Sequence, residues 1–331
     1  MLPWTQPDWQ EEAHAWIRTE MERLHLPISG PIEQPHILPW STVMHFRSGE
    51  ETLYFKATAE YEGYETAVTA ALSRWQPGYG PEVLAVDTER SWMLMRDIGV
   101  TLRAVLKENP DPRHWTTILT QYARQQQESL PKTAEFLNLG VPDRRLARLP
   151  SLLTEFLADS EAILLDQPGG MNSAEREQFY AFVPRFARLC ERLAVLGIPE
   201  TLDHNDLHAN NVFVSADGRY TVGDWGDCCV THPFSVLTVV ILSVGKNLGW
   251  AEDGPEVAAL RADYLAEWET VASREAIQEA ARLIPWVGLL NRALTWKLVL
   301  FGMPESQRGQ FGASCPDLLR EVLKKELPEG Y

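Results

Sequence analysis

A short hairpin with polar residues at its edges interrupts a long helical region, and this feature most constrains the fold of the chain. The segments 211–214 and 220–222 are predicted to be strands, because both are rich in strand-forming residues and flank the turn sequence Ala216-Asp217-Gly218. Asn211 begins the first strand and Asp224 follows the second. The hairpin is therefore expected to bring these two side chains side by side, although they are 13 positions apart.

The residues around this hairpin meet the chemical needs of phosphoryl transfer. In that reaction, negative charge on the transferring group must be held by a metal ion, and the acceptor hydroxyl must be aimed and deprotonated. Mg²⁺ prefers oxygen ligands, usually one or two protein groups together with phosphate oxygens and water. Asn211 offers an amide oxygen, Asp224 a carboxylate, and Asp206 in the preceding loop a second carboxylate that would face the acceptor.

The order His-x-Asp-x-x-x-x-Asn, strand, turn, strand, Asp-Trp resembles the aminoglycoside phosphotransferase and choline kinase family, small-molecule relatives of the protein kinases. The resemblance implies an α+β, two-lobed protein-kinase-like fold, with a small mixed β-sheet lobe and a larger, mostly helical lobe. By the same resemblance, Asp206 is the catalytic base or acceptor-orienting group. Asn211 and Asp224 are the Mg²⁺ ligands, and His204 is a structural residue that braces the loop.

Strand and helix patterns alternate over the first hundred residues. Apolar residues at helical spacing predict a helix from Trp9 to about Leu24, with Asp8 as its cap. This Trp-rich helix is expected to pack on the first lobe. The other elements predicted here are strands 41–47, 52–57, 83–87 and 91–95 and helix 60–75.

Helical patterns dominate from Thr101 onward. The predicted helices are 102–107, 114–130, 133–139, 149–164 and 174–196, with further helices from about Phe234. The predicted division of the chain is a first lobe over 1–98 and a helical lobe over 99–331 that contains the loop and the hairpin. The basic run Arg144-Arg145-Leu146-Ala147-Arg148 is predicted to be a solvated helix start.

The first lobe carries residues that match the family's nucleotide site. The resemblance implies a strand lysine paired with a helix glutamate, and Lys56 and Glu65 have the right order and element type, with Glu62 as the alternative partner. It also implies a hinge that binds the adenine of ATP through backbone groups. Because the sequence does not show such backbone contacts, it does not distinguish ATP from GTP as the nucleotide. The matching hinge residues are Met95, Arg96, Asp97 and Ile98.

The sequence departs from the family pattern at three places. No glycine-rich loop lies between the first two predicted strands, and 40–43 occupies the place where the family would have a phosphate-covering loop. Asn205 replaces the usual glycine, a change that the loop tolerates because Asn accepts unusual backbone angles. Ser235 stands near a position where the family usually has Asp. Asp227 either compensates for this missing aspartate or faces the substrate. His208 is predicted to be a structural residue or a contact to the acceptor.

The charge of the chain excludes one class of partner and favours another. With 30 basic and 46 acidic residues, the net charge of −16 argues against nucleic-acid binding, because phosphate contacts need clustered Lys and Arg. A negative field concentrates cations, which favours a cationic or amino-bearing small alcohol as acceptor.

The most apolar stretch, around 236–244, is too short to span a bilayer. The N-terminus lacks a signal-peptide pattern and the four cysteines suit a reducing compartment, so a cytoplasmic location is predicted.

Two other functions remain open at this point. One is a catalytically inactive nucleotide-binding pseudokinase, for which the missing glycines and Ser235 leave room. The other is a zinc-dependent hydrolase, since His204, Asp206 and His208 offer three potential ligands within five residues.

Overall fold

The computed structural model describes residues 2–325 and 327 and divides the chain into two compact units. The first unit comprises the residues up to Val100 together with Val212–Gly226. The second comprises Thr101–Asn211 and the residues from Asp227 onward.

A five-stranded sheet, antiparallel throughout, forms the centre of the first unit. Its strands are β1 Ser29–Ile37, β2 Ser41–Ser48, β3 Glu51–Thr58, β4 Val83–Asp87 and β5 Trp92–Arg96. The strand order is β1-β2-β3-β5-β4, and Ser48 pairs with Glu51 at the tight turn between β2 and β3. The predicted strands of this region are confirmed to within one or two residues.

Strand β1 was not predicted from the sequence. It contains Gly30, Pro31 and Pro35, which normally argue against a strand because proline donates no ladder hydrogen bond. The structure resolves this conflict by placing β1 at the edge of the sheet, paired with β2 alone and with irregular register. Edge strands tolerate proline, because one side of the strand needs no backbone partner.

Helix α1, Pro7–Arg23, packs on the sheet as predicted. Trp9 and Trp16 both contact the aromatic rings of Phe55 and Trp92, with ring centroids 5.5–6.3 Å apart. The expected cap at Asp8 is wrong. The helix begins at Pro7, two residues before the predicted start, and the fixed φ of proline suits the first helical position. Asp8 lies in the first turn, where its negative charge interacts favourably with the helix dipole.

Helix α2, Tyr64–Trp75, completes the helices of the first unit and follows a 3₁₀ turn at Glu60–Glu62.

The second unit is mostly helical. No helix among the described residues combines the length and apolar character needed to cross a membrane. Its helices are α3 Leu102–Glu108, α4 Arg113–Ser129, α5 Thr133–Asn138, α6 Leu149–Ala158, α7 Ser173–Val195, α8 Val236–Leu248, α9 Pro255–Ala266, α10 Arg274–Gly302, α11 Glu305–Arg308 and α12 Ser314–Lys324.

Two predictions near α6 need correction. The helix ends at Ala158 and not at Leu164, because the Asp159 carboxylate accepts the Ala162 N–H (3.1 Å) and so competes with further helical turns. The basic run before it is not fully solvated. Arg144 is only 4% exposed and donates to Asn291 O (2.7 Å) and Thr295 Oγ1 (2.6 Å) of α10.

Short strands complete the fold: β6 Val100–Thr101, β7 Thr201–Asp203, β8 Val212–Val214, β9 Tyr220–Val222 and β10 Cys229–Thr231. The β8–β9 hairpin was predicted, but it groups with the first unit instead of the lobe 99–331. Val222 N donates to Tyr79 O (3.0 Å), and Gly99 lies so close to Val214 that a Cβ on it would be 2.2 Å from Val214 O. These backbone contacts attach the hairpin to the first unit.

Candidate active site

A buried lysine with two carboxylates forms the charged centre of the first unit. Lys56 Nζ, on β3, lies 2.6 Å from Glu65 Oε1 in the first turn of α2 and 2.5 Å from Asp224 Oδ1 just after β9. The structure therefore pairs Lys56 with Glu65, the first of the two predicted partners. The Asp224 side chain is 55% exposed, whereas those of Lys56 and Glu65 are buried.

The electrostatics of this cluster keep the lysine charged. Burial lowers the pKa of Lys56, but the nearby carboxylates of Asp224 and Glu65 outweigh that effect, and the net pKa lies above the ordinary value. A buried ammonium with two hydrogen-bonded carboxylates is the arrangement in which such a charge can persist away from water.

The turn that carries Asp224 is shaped by local contacts of the first unit. Asp224 has φ +65°, a left-handed conformation that Asp adopts more readily than most residues. The indole Nε1 of Trp225 donates to Val222 O (3.1 Å), and the hydroxyl of Tyr64 donates to Gly226 O. The exposed carboxylate is thus held at a fixed point beside Lys56.

The predicted hinge residues lie at the end of β5 with their polar side chains already engaged. Arg96 donates to Glu82 Oε1 (3.0 Å) and also pairs with Glu51. Asp97 Oδ1 accepts the Gly99 N–H (2.8 Å). Met95 is buried, and Ile98 Cδ1 would be 3.2 Å from a Cβ on Gly223, the residue before Asp224. The side chains of Arg96 and Asp97 are therefore engaged within the first unit.

Residues 40–43 do not form the loop that was expected there, since Ser41 begins strand β2. The connection between β1 and β2 is the tight turn 38–40, in which Leu38 N donates to Ser41 O (2.9 Å) and Trp40 O accepts Ala59 N (2.8 Å). His36 pairs in register with Val43, which pairs with Lys56. Because paired residues share a face of the sheet, His36 is on the Lys56 face, a neighbour that the sequence did not indicate.

In the second unit, buried groups fix the start of the loop 204–211. Strands β7 and β10 pair antiparallel, with Asp203 opposite Cys229. The Tyr122 hydroxyl donates to Asp203 Oδ1 (3.2 Å) and accepts the His204 N–H (2.7 Å). Burial raises the pKa of Asp203 to about 7. His204 is fully buried, and its Nδ1 accepts the Asp206 N–H (3.3 Å), so this ring braces the loop from within.

Three donors surround the carboxylate of Asp206. Arg292 Nη2 lies 3.1 Å from Oδ1, while His208 Nε2 and Asn211 Nδ2 each lie 3.4 Å from Oδ2. His208 Nδ1 accepts the Asn210 N–H (3.2 Å), so the neutral ring carries its proton on Nε2, toward Asp206. The amide nitrogen of Asn211 also donates to Asp206 O (3.0 Å). The loop thus holds this carboxylate in one orientation.

Arg292 on α10 is a site residue that the sequence analysis missed. It donates from Nη1 to Asp227 Oδ2 (2.6 Å) and Asn205 O (2.9 Å). Asn205 has φ +59° and donates to Thr295 Oγ1 (2.8 Å), so it accepts the unusual backbone angle and also links the loop to α10. Burial lowers the pKa of Arg292, but the carboxylates of Asp206 and Asp227 outweigh that effect, so the net pKa lies above the ordinary value. The available signal was the polar pair Asn291-Arg292 inside an otherwise apolar helical stretch.

A cavity of about 280 Å³ lies beside Asp206 within the second unit. Its walls come from the loop 204–211 and from helices α3, α8, α10 and α12. Helices α8 and α10 approach closely here, because a Cβ on Gly288 would lie 1.9 Å from Thr238 Oγ1. His208 lines the cavity next to Asp206, whereas Asp227 acts on the site through Arg292.

Both predicted metal ligands carry oxygen donors. Asn211 turns its amide nitrogen toward Asp206, which leaves its oxygen for other ligands, and Asp224 presents an exposed carboxylate. Hard oxygen donors of this kind fit Mg²⁺. These two residues belong to different units. Among residues 2–325 and 327, no three His, Cys, Asp or Glu side chains are grouped to hold a metal ion, which argues against the zinc hydrolase built on His204, Asp206 and His208.

The chain is similar to known phosphotransferases, both in its sequence and in its fold. The model of the phosphotransferase enzyme family (APH) matches residues 52–280. No match to a curated protein is found. Similar solved structures include a choline/ethanolamine kinase family protein from Mesorhizobium loti, with 16% identity, coverage of 91% of this chain and 90% of that chain, and a TM-score of 0.60.

Two further structures are similar over nearly their whole length. The choline kinase LicA from Streptococcus pneumoniae has 13% identity, covers 95% of this chain and 98% of that chain, and gives a TM-score of 0.58. The streptomycin-ATP-APH(2")-IIa ternary complex has 15% identity, coverage of 95% and 96%, and a TM-score of 0.55. At these identities the likeness shows the fold, which is the predicted α+β kinase-like fold. The family model covers more than half of the chain, and the chain therefore belongs to the phosphotransferase enzyme family.

Proposed function

We propose that the chain transfers the γ-phosphoryl group of ATP, or of GTP, to a hydroxyl group of a small molecule. The observation that carries the proposal is the buried Lys56, which is hydrogen-bonded to both Glu65 and Asp224. A lysine that is kept charged in this way is suited to bind the phosphates of a nucleotide, and Glu65 would fix its position.

Asp206 is assigned the role of aiming the acceptor hydroxyl and receiving its proton. It lines the cavity in the second unit and is oriented by Arg292, His208 and Asn211. The acceptor oxygen forms a bond to the γ-phosphorus as the bond from that phosphorus to the bridging oxygen of the diphosphate breaks. The products are a phosphate ester and the nucleoside diphosphate, and the hydroxyl proton passes to Asp206. Positioning supplies most of the rate in such a reaction.

Asn211 and Asp224 are proposed as the protein ligands of Mg²⁺. When bound, the ion would neutralise charge on the phosphate oxygens. The amide oxygen of Asn211 and the exposed carboxylate of Asp224 are the donor types that this ion takes. The backbone of the hinge Met95–Ile98 is proposed to bind the purine base, since the side chains of Arg96 and Asp97 are engaged elsewhere.

The similar ternary complex contains ATP and streptomycin, which supports ATP as the donor here. A cytoplasmic location stays a prediction from the sequence.

The test is a thermal unfolding measurement with ATP, GTP and ADP, each with and without Mg²⁺. A nucleotide at 100 times its dissociation constant should add about 2.7 kcal/mol to the stability. We expect a Mg²⁺-dependent rise of the melting temperature that is lost in Asp224→Asn. Binding without turnover of any acceptor would indicate the inactive pseudokinase. No response to nucleotide, together with a large response to zinc, would overturn the proposal in favour of the hydrolase.

A further inference from the structure

The cavity beside Asp206 has a charge opposite to that of the chain as a whole. Arg103, Lys246 and Arg292 line it, and Asp206 is the only carboxylate among the described residues of its lining. The whole chain has 46 acidic and 30 basic residues. Three cations against one carboxylate therefore reflect a local arrangement and not the composition.

The three cations differ in how they are engaged. Arg292 is held by Asp227 and Asp206, so its charge is largely compensated within the protein. Arg103 and Lys246 are exposed, and neither has an ion-pair partner in the described part of the chain. These two cations are thus available to a ligand in the cavity.

Two hydrogen bonds of the Ala209 backbone place the helices that carry both available cations next to the loop 204–211. Arg103 N, at the start of α3, donates to Ala209 O (2.8 Å). Ala209 N donates to Ser243 Oγ (3.1 Å) on α8, one helical turn before Lys246. The two side chains therefore both start next to the short loop segment that carries Asp206.

The lining also argues against a cationic acceptor. Quaternary ammonium groups are usually bound on aromatic faces, and no Phe, Tyr or Trp is among the described residues of the cavity. An acceptor with several ammonium groups would need several carboxylates, and Asp206 is the single carboxylate among the lining residues that the structure describes. The acidic surface elsewhere has little influence, because charges beyond about 10 Å are largely screened at ordinary salt.

We infer that the acceptor is an alcohol that carries an anionic carboxylate or phosphate group, bound by Arg103 and Lys246. The hydroxyl group of the same molecule reaches Asp206, which also lines the cavity. Charge-assisted hydrogen bonds from Arg and Lys are the strongest contacts available to such a group. The inference rests on the proposed phosphotransferase function and replaces the cationic acceptor that the overall charge favoured.

The first experiment compares kcat/KM for alcohols that share a skeleton and differ in charge. One series is glycerate, glycerol and serinol, and the second is gluconate, glucose and glucosamine. Glycerol 3-phosphate and ribose 5-phosphate distinguish phosphate from carboxylate, and choline and streptomycin represent cationic acceptors. We expect the anionic members to be preferred by at least about tenfold, the value of one charge-assisted contact. A preference for the cationic members would overturn the inference.

Variants connect that preference to the two residues. Arg103→Gln and Lys246→Gln should each raise KM for the preferred acceptor about tenfold. The kcat and the nucleotide-dependent thermal shift should change little, because these residues bind the remote group. Lys107→Gln is the matched control, since Lys107 is an exposed cation on the same helix as Arg103 and does not line the cavity. An unchanged KM in both cavity variants would contradict the assignment.

A binding measurement keeps the inference testable if no alcohol of the panel is turned over. Inorganic phosphate is titrated with ADP and Mg²⁺ present, and its effect on the melting temperature is compared between wild type and Arg103→Gln/Lys246→Gln. A stabilisation that disappears in the double variant supports the anion site, even if nucleotides fail to bind and the proposed function fails. A stabilisation that persists in the double variant, or none at all, overturns the anion site while leaving the nucleotide result unaffected.

Discussion

Arg292 Nη2 lies 3.1 Å from Asp206 Oδ1, although 86 positions separate the two residues. The same guanidinium holds Asp227 at 2.6 Å through Nη1. Its side chain is only 12% exposed, so both ion pairs are partly shielded from water. One helix residue thus fixes the orientation of the proposed base, and its single positive charge is shared by two carboxylates.

Arg292→Met should lower the free energy of unfolding by about 3 kcal/mol. Removing one partner of a buried ion pair leaves the other charge unpaired, and such changes are strongly destabilising. Urea denaturation at pH 7 measures the effect. In a double-mutant cycle, Asp227→Asn should cost much less in the Arg292→Met background than in the wild type. Equal costs in the two backgrounds would mean that the pair contributes nothing to stability.

Asp206→Asn should reduce turnover by roughly 10²–10⁴-fold, the usual contribution of a general base. Asn preserves the shape and one acceptor oxygen but cannot take up the proton. Nucleotide affinity, followed by thermal shift with Mg²⁺, should be nearly unchanged. Asp253→Asn, an exposed aspartate outside the cavity, is the control for loss of one negative charge. Full activity of Asp206→Asn on a genuine acceptor would rule out the assigned role.

The secondary structure was largely predictable, because apolar spacing reports locally which face of an element is buried. The strands 41–47 and 52–57 and most helices agree with the structure to within one or two residues. Strand β1 could not be predicted, since its prolines are compatible with a strand only at a sheet edge, and edge position is a property of the whole sheet.

The long-range partners of charged residues were not predictable. Arg144 looked like part of a solvated basic run, but it is buried against Asn291 and Thr295. Arg292 likewise has no local sequence signal for its two carboxylate partners. Sequence patterns of three or four residues report which face of a helix is apolar, but they do not report which distant loop covers that face.

Lys56→Met should destabilise the protein by about 3–5 kcal/mol at pH 7, because the buried Glu65 loses its cation. The contribution of Lys56 to the free energy of unfolding of the wild-type protein should be constant around neutral pH. Its pKa is raised on folding, so this contribution is lost only as the pH rises through that high value. In the variant, the loss should shrink as the pH falls, because the buried carboxylate of Glu65 takes up a proton more readily without the ammonium of Lys56.

Denaturation of Lys56→Met at pH 5 and pH 7 measures this difference. The double variant Lys56→Met/Glu65→Gln serves as the control, because it has no buried carboxylate at position 65 to titrate. A loss of stability that does not depend on pH in the single variant would contradict the expected protonation of Glu65.

Asp203→Asn should change how stability depends on pH. Burial raises the folded-state pKa of Asp203 from 3.8 to about 7. Between these values the folded state binds more protons than the unfolded state, so this residue makes the protein less stable as the pH rises. The difference in unfolding free energy, variant minus wild type, should increase by up to about 1.4 kcal/mol per pH unit over that range. Urea denaturation from pH 4.5 to 7.5 tests this, and a constant difference would contradict it.

Gly99→Ala should destabilise the first unit more than Gly218→Ala. Both glycines have positive φ, at +100° and +81°, so alanine is strained at either position by about 1–2 kcal/mol. Around Gly218 nothing lies within 4 Å of the new methyl group, whereas at Gly99 it would be 2.2 Å from Val214 O. The hairpin backbone must then move away from the hinge. Urea denaturation should show a larger loss for Gly99→Ala, and nucleotide affinity should fall only in that variant. Equal losses in both variants would mean that the hairpin shifts freely, so that Gly99 serves only its backbone conformation.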